Sequence, residues 1–238
     1  MNINLLELLR EEKSMRLKGG LYHQTQIKLC YNSNRIEGSR LSEDQTRYIF
    51  ETNTLNIDPN ETANVDDIIE TVNHFACFDY MLDIAGDPLS ENIIKEFHRI
   101  LKTNTSDSRK KWFKVGGYKS RPNMVADTET TAPEKVEEAM AGLLETYHKK
   151  QIDFKAIIGF HYRFERIHPF QDGNGRVGRM IMFKECLKHE LVPFIIEDEY
   201  KLFYYRGLKE YANIPGYLTD TCLSAQDKYR EMIGYFFS

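Results

Sequence analysis

Apolar residues recur at three- and four-residue intervals along most of the chain, interrupted by glycine, proline and short polar clusters. This spacing predicts a first helix over Asn2 to Lys18, stopped by Gly19-Gly20. A second runs from Leu21 to Glu37 and ends at Gly38, a residue suited to the left-handed closing position of a helix. Ser42-Glu43-Asp44-Gln45 has the form of a capping box and opens a third. A polar loop, Asn53 to Asn60, follows. Val65 to Ala85 is a long amphipathic run closed by Gly86, and Ser90 is placed to cap Glu91 to Lys102. The helical period lapses from Thr103 to Ala132, where Gly116-Gly117 and Pro122 separate short apolar pieces. This stretch reads as a loop carrying a β-hairpin, with Trp112 to Val115 and Asn123 to Ala126 as its strands. Helices then resume over Pro133 to Lys149, Phe154 to Ile167 (capped by Asp153), Gly175 to His189, Asp198 to Tyr211 and Leu218 to Phe236. The pattern predicts one mainly α domain with one small hairpin, its first three helices forming a subdomain.

Composition narrows the classes. The 238 residues are 41% hydrophobic, enough for a substantial core, and the formal net charge of −4 gives no global basic field for nucleic acid. Cys30, Cys77, Cys186 and Cys222 are widely separated and form no metal-binding spacing, as expected of reduced, buried thiols. The amino terminus lacks the form of a signal peptide, and no apolar run approaches the roughly 20 residues of a membrane span. A cytoplasmic protein that engages neither membrane nor nucleic acid is expected.

One segment concentrates chemistry. Ile167 to Met180 reads IHPFQDGNGRVGRM. Pro169 ends the preceding helix, and the chain crosses Asp172-Gly173-Asn174-Gly175 before re-entering a helix near Arg176. Glycines on both sides of an asparagine permit positive φ, so successive amides can converge at a helix N-terminus, where the dipole favours an anion. Arg176 and Arg179 share one side of the new helix and offer two forks for phosphate oxygens. Asp172 supplies a hard oxygen beside that site, as Mg²⁺ requires, and His168 can take a proton near neutral pH. Together these residues suit transfer chemistry at a phosphate. There is no GxxxxGK[ST] loop and no set of kinase motifs. Two other readings are open. His161, Glu165 and His168 stand at helical spacing as a metal-hydrolase arrangement, and the loop alone could serve a non-catalytic nucleotide-binding module.

His168, Phe170, Asp172, Gly173, Asn174, Gly175, Arg176 and Arg179 resemble the signature of the Fic (Fido) family, HxFx[DE]GN[GK]RxxR, at every fixed position. The resemblance implies an all-α Fic core over about 65–211, preceded by inhibitory N-terminal helices in 1–64 and followed by a C-terminal helix in 212–238. It implies transfer of AMP from ATP to a Ser, Thr or Tyr hydroxyl of a protein. His168 would be the general base. Asp172 would hold Mg²⁺, with Mn²⁺ as a substitute. Gly173, Asn174 and Gly175 would receive the α-phosphate, and Arg176 and Arg179 the outer phosphates. Phe170 would anchor the loop. Tyr204, Tyr205 and Leu208 would line the adenine site. Tyr118, Lys119, Asn123, Met124 and Val125 would belong to a flap that docks the target as an added strand.

Upstream, Ser33 to Gly38 reads SNRIEG. Glu37 is set against the negative end of its helix, a mildly unfavourable place for a carboxylate. Ser33, Glu37 and Gly38 resemble the family's inhibitory motif, [ST]xxxE[GN]. The resemblance implies class II autoinhibition, in which Glu37 pairs with Arg179 and keeps ATP from seating productively. It also leaves open removal of AMP at the same site, transfer of other phosphate-linked groups, and self-association.

Overall fold

The computed structural model describes residues 4–57, 62–125 and 128–237. Among these, ten α-helices account for nearly all regular structure: α1 Leu5–Met15, α2 Leu21–Ile36, α3 Glu43–Thr52, α4 Val65–Asp83, α5 Glu91–Lys102, α6 Val136–His148, α7 Phe154–Ile167, α8 Asn174–Lys188, α9 Lys201–Glu210 and α10 Gly216–Phe237. Local signals explain the boundaries. Ser42 and Gln45 form a reciprocal capping box on α3, and Asn64, Ser90 and Asp153 accept first-turn amides at α4, α5 and α7. Gly38, with φ of +101°, takes the chain away from the end of α2.

The hairpin differs from expectation. Its strands are Met124–Val125 (β1) and Thr128–Glu129 (β2), paired antiparallel. Ala126, expected in the first strand, lies outside the described residues. Trp112 to Val115, expected as a strand, is turn and irregular chain. Phe113 is buried against His98, while Arg121 and Lys110 cover the indole of Trp112 at 4.5 and 5.6 Å from its ring centre. A short aromatic and β-branched run of this kind resembles a strand in sequence and forms none in space.

Helices α4, α5, α7 and α8 pack around a core that includes Phe78, Phe97, Phe164, Phe170 and Phe183, each at most 1% exposed. The same cluster takes in Leu9 and Leu21 from the first two helices and Tyr229 from α10, so the three expected segments share one core. A second cluster joins Ile36 at the end of α2 to Ile158, Met182, Tyr204 and Leu218. That cluster fixes the end of α2 beside α8 and α9. All four cysteines are buried and free. No helix among the described residues is long and apolar enough to cross a membrane.

Candidate active site

The site is built where α7 gives way to α8. His168 closes α7 in the left-handed conformation, with φ of +51°, and its amide bonds to Phe164 O at 2.8 Å. Few non-glycine residues adopt this backbone, and here the surroundings over-determine it. Pro169 follows, and Phe170 is fully buried, stacked on His98 with ring centres 4.0 Å apart. The anchor expected of Phe170 is thus visible as packing. Asn174 closes the turn on itself. Its Oδ1 accepts from Phe170 N at 2.8 Å and its Nδ2 donates to Phe170 O at 2.9 Å. The Asn174 side chain therefore holds the loop closed.

The glycines of the loop serve different needs. Gly173, with φ of +80°, provides the left-handed residue that starts α8. Gly175 lies within the helix and provides space. A Cβ there would fall 2.2 Å from Glu37 Oε1. Nothing from a side chain caps α8, and the carboxylate of Glu37 lies beside Gly175 in its first turn, where the helix dipole favours an anion.

Arg179 completes that contact. Its Nη2 donates to Glu37 Oε1 at 2.7 Å and to Ser33 O at 2.9 Å, and its Nε to Ser33 Oγ at 3.0 Å. The guanidinium is almost fully buried, 5.9 Å above the ring of Tyr204. Ser33 and Glu37 thus meet Arg179 across a sequence separation of more than a hundred residues. The unfavourable placement of Glu37 at the end of α2 is offset by a second helix pointing its positive end at the same carboxylate.

Arg176 is used differently from Arg179. It is 3% exposed, ion-paired to Glu70, and 3.3 Å from Asp172 Oδ2. Lys102, equally buried, bonds Glu70 at 2.7 Å and Asp172 at 2.6 Å, with Asp107 at 3.2 Å. Burial raises the Asp172 pKa, but Arg176 and Lys102 outweigh it and hold the carboxyl ionised, down to about 2. Arg176, expected as a phosphate fork, here shares its charge with two carboxylates. Lys102 and Glu70 gave no signal in the sequence, because each reaches the loop from a distant helix without a motif of its own.

His168 is pushed down to about 4, first by burial and then by the cation of Lys119. Its Nδ1 lies 3.7 Å from Glu165 Oε2. Glu165 is buried, faces Glu37, and is pushed up to about 8. His161 is not free to act in a metal triad through Nε2, which is 2.6 Å from the hydroxyl of Tyr204. No cluster of three or more His, Cys, Asp or Glu suited to a metal occurs among the described residues.

A cavity of about 610 Å³ opens over these groups, lined by Glu37, Glu165, His168, Gly175 and Arg179 on one side. Tyr204, Tyr205, Leu208, Tyr162, Arg166, Arg206 and Lys209 line another side, and Val125, Glu129 and Thr130 of the hairpin a third. Tyr204, Tyr205 and Leu208 thus share one space with His168. Sequence reasoning missed the charged rim of Arg166, Arg206 and Lys209. Of the five flap residues expected to dock a target, Met124 and Val125 are exposed, whereas Tyr118 and Lys119 are buried and Asn123 bonds Phe170 O at 3.0 Å. Exposed side chains of the hairpin are thus those of Met124 and Val125 in its first strand.

These features agree with known proteins. Residues 88–186 match the model of the Fic/DOC family. The chain is 28% identical over 191 residues to a protein adenylyltransferase Fic of Nematostella vectensis, covering 76% of this chain and 42% of that protein. It is 26% identical over 199 residues to protein adenylyltransferase fic-1 of Caenorhabditis elegans, covering 79% and 37%. The chain thus spans less than half the length of these relatives. In fold, a Fic domain containing signaling protein from Bacteroides thetaiotaomicron superimposes with a TM-score of 0.72 at 24% identity, covering 98% of this chain and 91% of that one. The loop geometry, the matched residues and the shared fold point the same way: residues 88–186 resemble the Fic/DOC family, and the chain has the fold of a solved Fic-domain protein.

Proposed function

We propose that the chain is a protein adenylyltransferase, moving AMP from ATP to a Ser, Thr or Tyr hydroxyl of a protein, itself included, and that Glu37 holds it inhibited. One observation carries this reading. The carboxylate of Glu37 sits at the start of α8 against Gly175 and Arg179, where an anion is favoured, inside the same cavity as His168. The relatives named protein adenylyltransferase support the chemistry.

The residues define the steps. His168 is neutral near pH 7, because its pKa is lowered, and can accept the proton of an acceptor hydroxyl. That oxygen attacks the α-phosphorus, the bond to the bridging oxygen of the β-phosphate breaks, and pyrophosphate leaves. The uncapped amides at the start of α8 stabilise the charge that builds on the α-phosphate oxygens. Arg179, once released from Glu37, is the free cation for the terminal phosphate. Asp172 fits Mg²⁺ or Mn²⁺: it is ionised, partly exposed, and has only Oδ2 bonded to Lys102 and Arg176. A single carboxylate with substrate phosphates completing the shell is the usual arrangement for such ions, which would neutralise phosphate charge. Four buried free thiols support a cytoplasmic setting.

The test compares wild-type, Glu37→Gly and Glu37→Gly/His168→Ala proteins with α-labelled ATP and Mg²⁺, followed by mass spectrometry. Added AMP should be strong in Glu37→Gly, weak in wild type and absent from the double variant. Equal labelling of wild type and Glu37→Gly removes the autoinhibitory assignment. Labelling that survives His168→Ala removes the base.

A further inference from the structure

Lys119 is 4% exposed, yet its ammonium has only neutral acceptors: Asn123 Oδ1 at 2.7 Å, Thr130 Oγ1 at 2.6 Å and Ile167 O at 3.3 Å. Burying a cation without a carboxylate is costly, and an apolar side chain would fill the same volume without that cost. Its contacts are also unusual in where they lead. Asn123 and Thr130 flank the two strands of the hairpin. Ile167 precedes His168. The backbone amide of Lys119 bonds Pro169 O at 2.8 Å, so the residues on both sides of His168 are tied to this one lysine. Asn123 adds a bond to Phe170 O, and Thr130 Oγ1 donates back to Asn123 O at 2.9 Å.

We propose that Lys119 is a positioning residue for His168: it binds the root of the hairpin to the turn carrying the base, so that a docked acceptor hydroxyl and the base keep one register. The inference rests on the adenylyl-transfer reading for its purpose, and on geometry alone for the coupling. A second effect follows from charge. The groups facing His168 are Lys119 from the hairpin root, Glu165 from α7, Glu37 from α2 and Asp172 from the loop. Lys119 disfavours the imidazolium, and Arg166, Arg179, Arg206 and Lys209 line the same cavity.

The test uses Lys119→Met and Lys119→Arg in the full chain, in both wild-type and Glu37→Gly backgrounds. In Lys119→Met, amide exchange at residues 123–125, 128–130, 167, 168 and 170 should rise about tenfold, as expected for losing charge-assisted bonds. Protection within α2, α4 and α8 should not change. His168, followed by NMR, should titrate at higher pH than in wild type, and the acid limb of transfer in the Glu37→Gly background should move the same way. Lys119→Arg, which keeps the charge, should restore both. Unchanged exchange in the hairpin and unchanged titration of His168 in Lys119→Met overturn the proposal. So does loss of protection in every helix, which would make Lys119 a general packing residue. If the Glu37→Gly parent transfers no AMP, the activity reading fails, while exchange and titration still decide the coupling.

Discussion

Glu165 lies between His168 and the Glu37–Arg179 pair, and its buried carboxyl is pushed up to about 8 by desolvation and by Glu37. The folded protein then binds more protons than the unfolded chain between the ordinary glutamate pKa, near 4.5, and about 8, so stability falls as pH rises through that window. Glu165→Gln should flatten this fall: its Tm should exceed that of wild type at pH 8, with the gap closing toward pH 5. A Tm difference that does not depend on pH would show that Glu165 is ionised throughout. Ser33 offers a second single-residue test. Its Oγ accepts from Arg179 Nε, while its carbonyl and Glu37 hold Nη2 independently. Ser33→Ala removes one bond to a charged group, roughly 1.5 kcal/mol or about tenfold in the open population. Basal AMP labelling should therefore rise to a level between wild type and Glu37→Gly. Labelling equal to wild type would confine the lock to Glu37 alone.

Helices α7 and α8 meet so closely at Gly178 that an added Cβ would lie 2.7 Å from the ring of His161 and 2.8 Å from Glu165 Oε1. Gly178→Ala should cost about 1–3 kcal/mol through overpacking, and thermal unfolding should show a Tm lower by several degrees. At this scale the sequence is most legible where the signal is local. Ser42 to Gln45, Ser90 and Asp153 mark helix starts because one side chain bonds an amide within three residues. Ile167 to Met180 is legible because the loop carries its own glycine, proline and histidine in order. The remainder depends on encounters between distant segments. Glu70 and Lys102 occupy ordinary positions on α4 and α5, and nothing local tells that they will neutralise Arg176 and Asp172. Lys119 has the look of an exposed flap residue until the loop around it folds back over Ile167. The apolar run at Trp112 to Val115 misleads for a related reason: a loop that buries Phe113 and covers Trp112 leaves the same trace as a short strand.

Across the whole molecule, buried imidazoles set the response to acid. His74, His98 and His161 are each lowered to about 3, chiefly by burial, and His168 to about 4. The unfolded chain takes up protons at these sites below about pH 6.5 while the folded one does not, so stability is lost as pH falls through that range. The urea midpoint should drop steadily from pH 6.5 to 4, and His74→Phe should reduce the slope; a midpoint flat across this range would mean that these rings are charged in the fold. Helix α2, which carries Ser33 and leads to Glu37, is part of this same body, with Leu21, Ile27, Leu29 and Cys30 at most 3% exposed. Ser33 holds Arg179 from within this buried helix, whereas Glu37 lies in the turn just beyond Ile36. Glu37 is in effect a ligand on a very short leash. Its concentration at α8 is fixed by covalent connection and does not change with the amount of protein in solution. Under the proposed inhibition, dilution should leave the lock closed, and rising nucleotide should meet a competitor of constant strength.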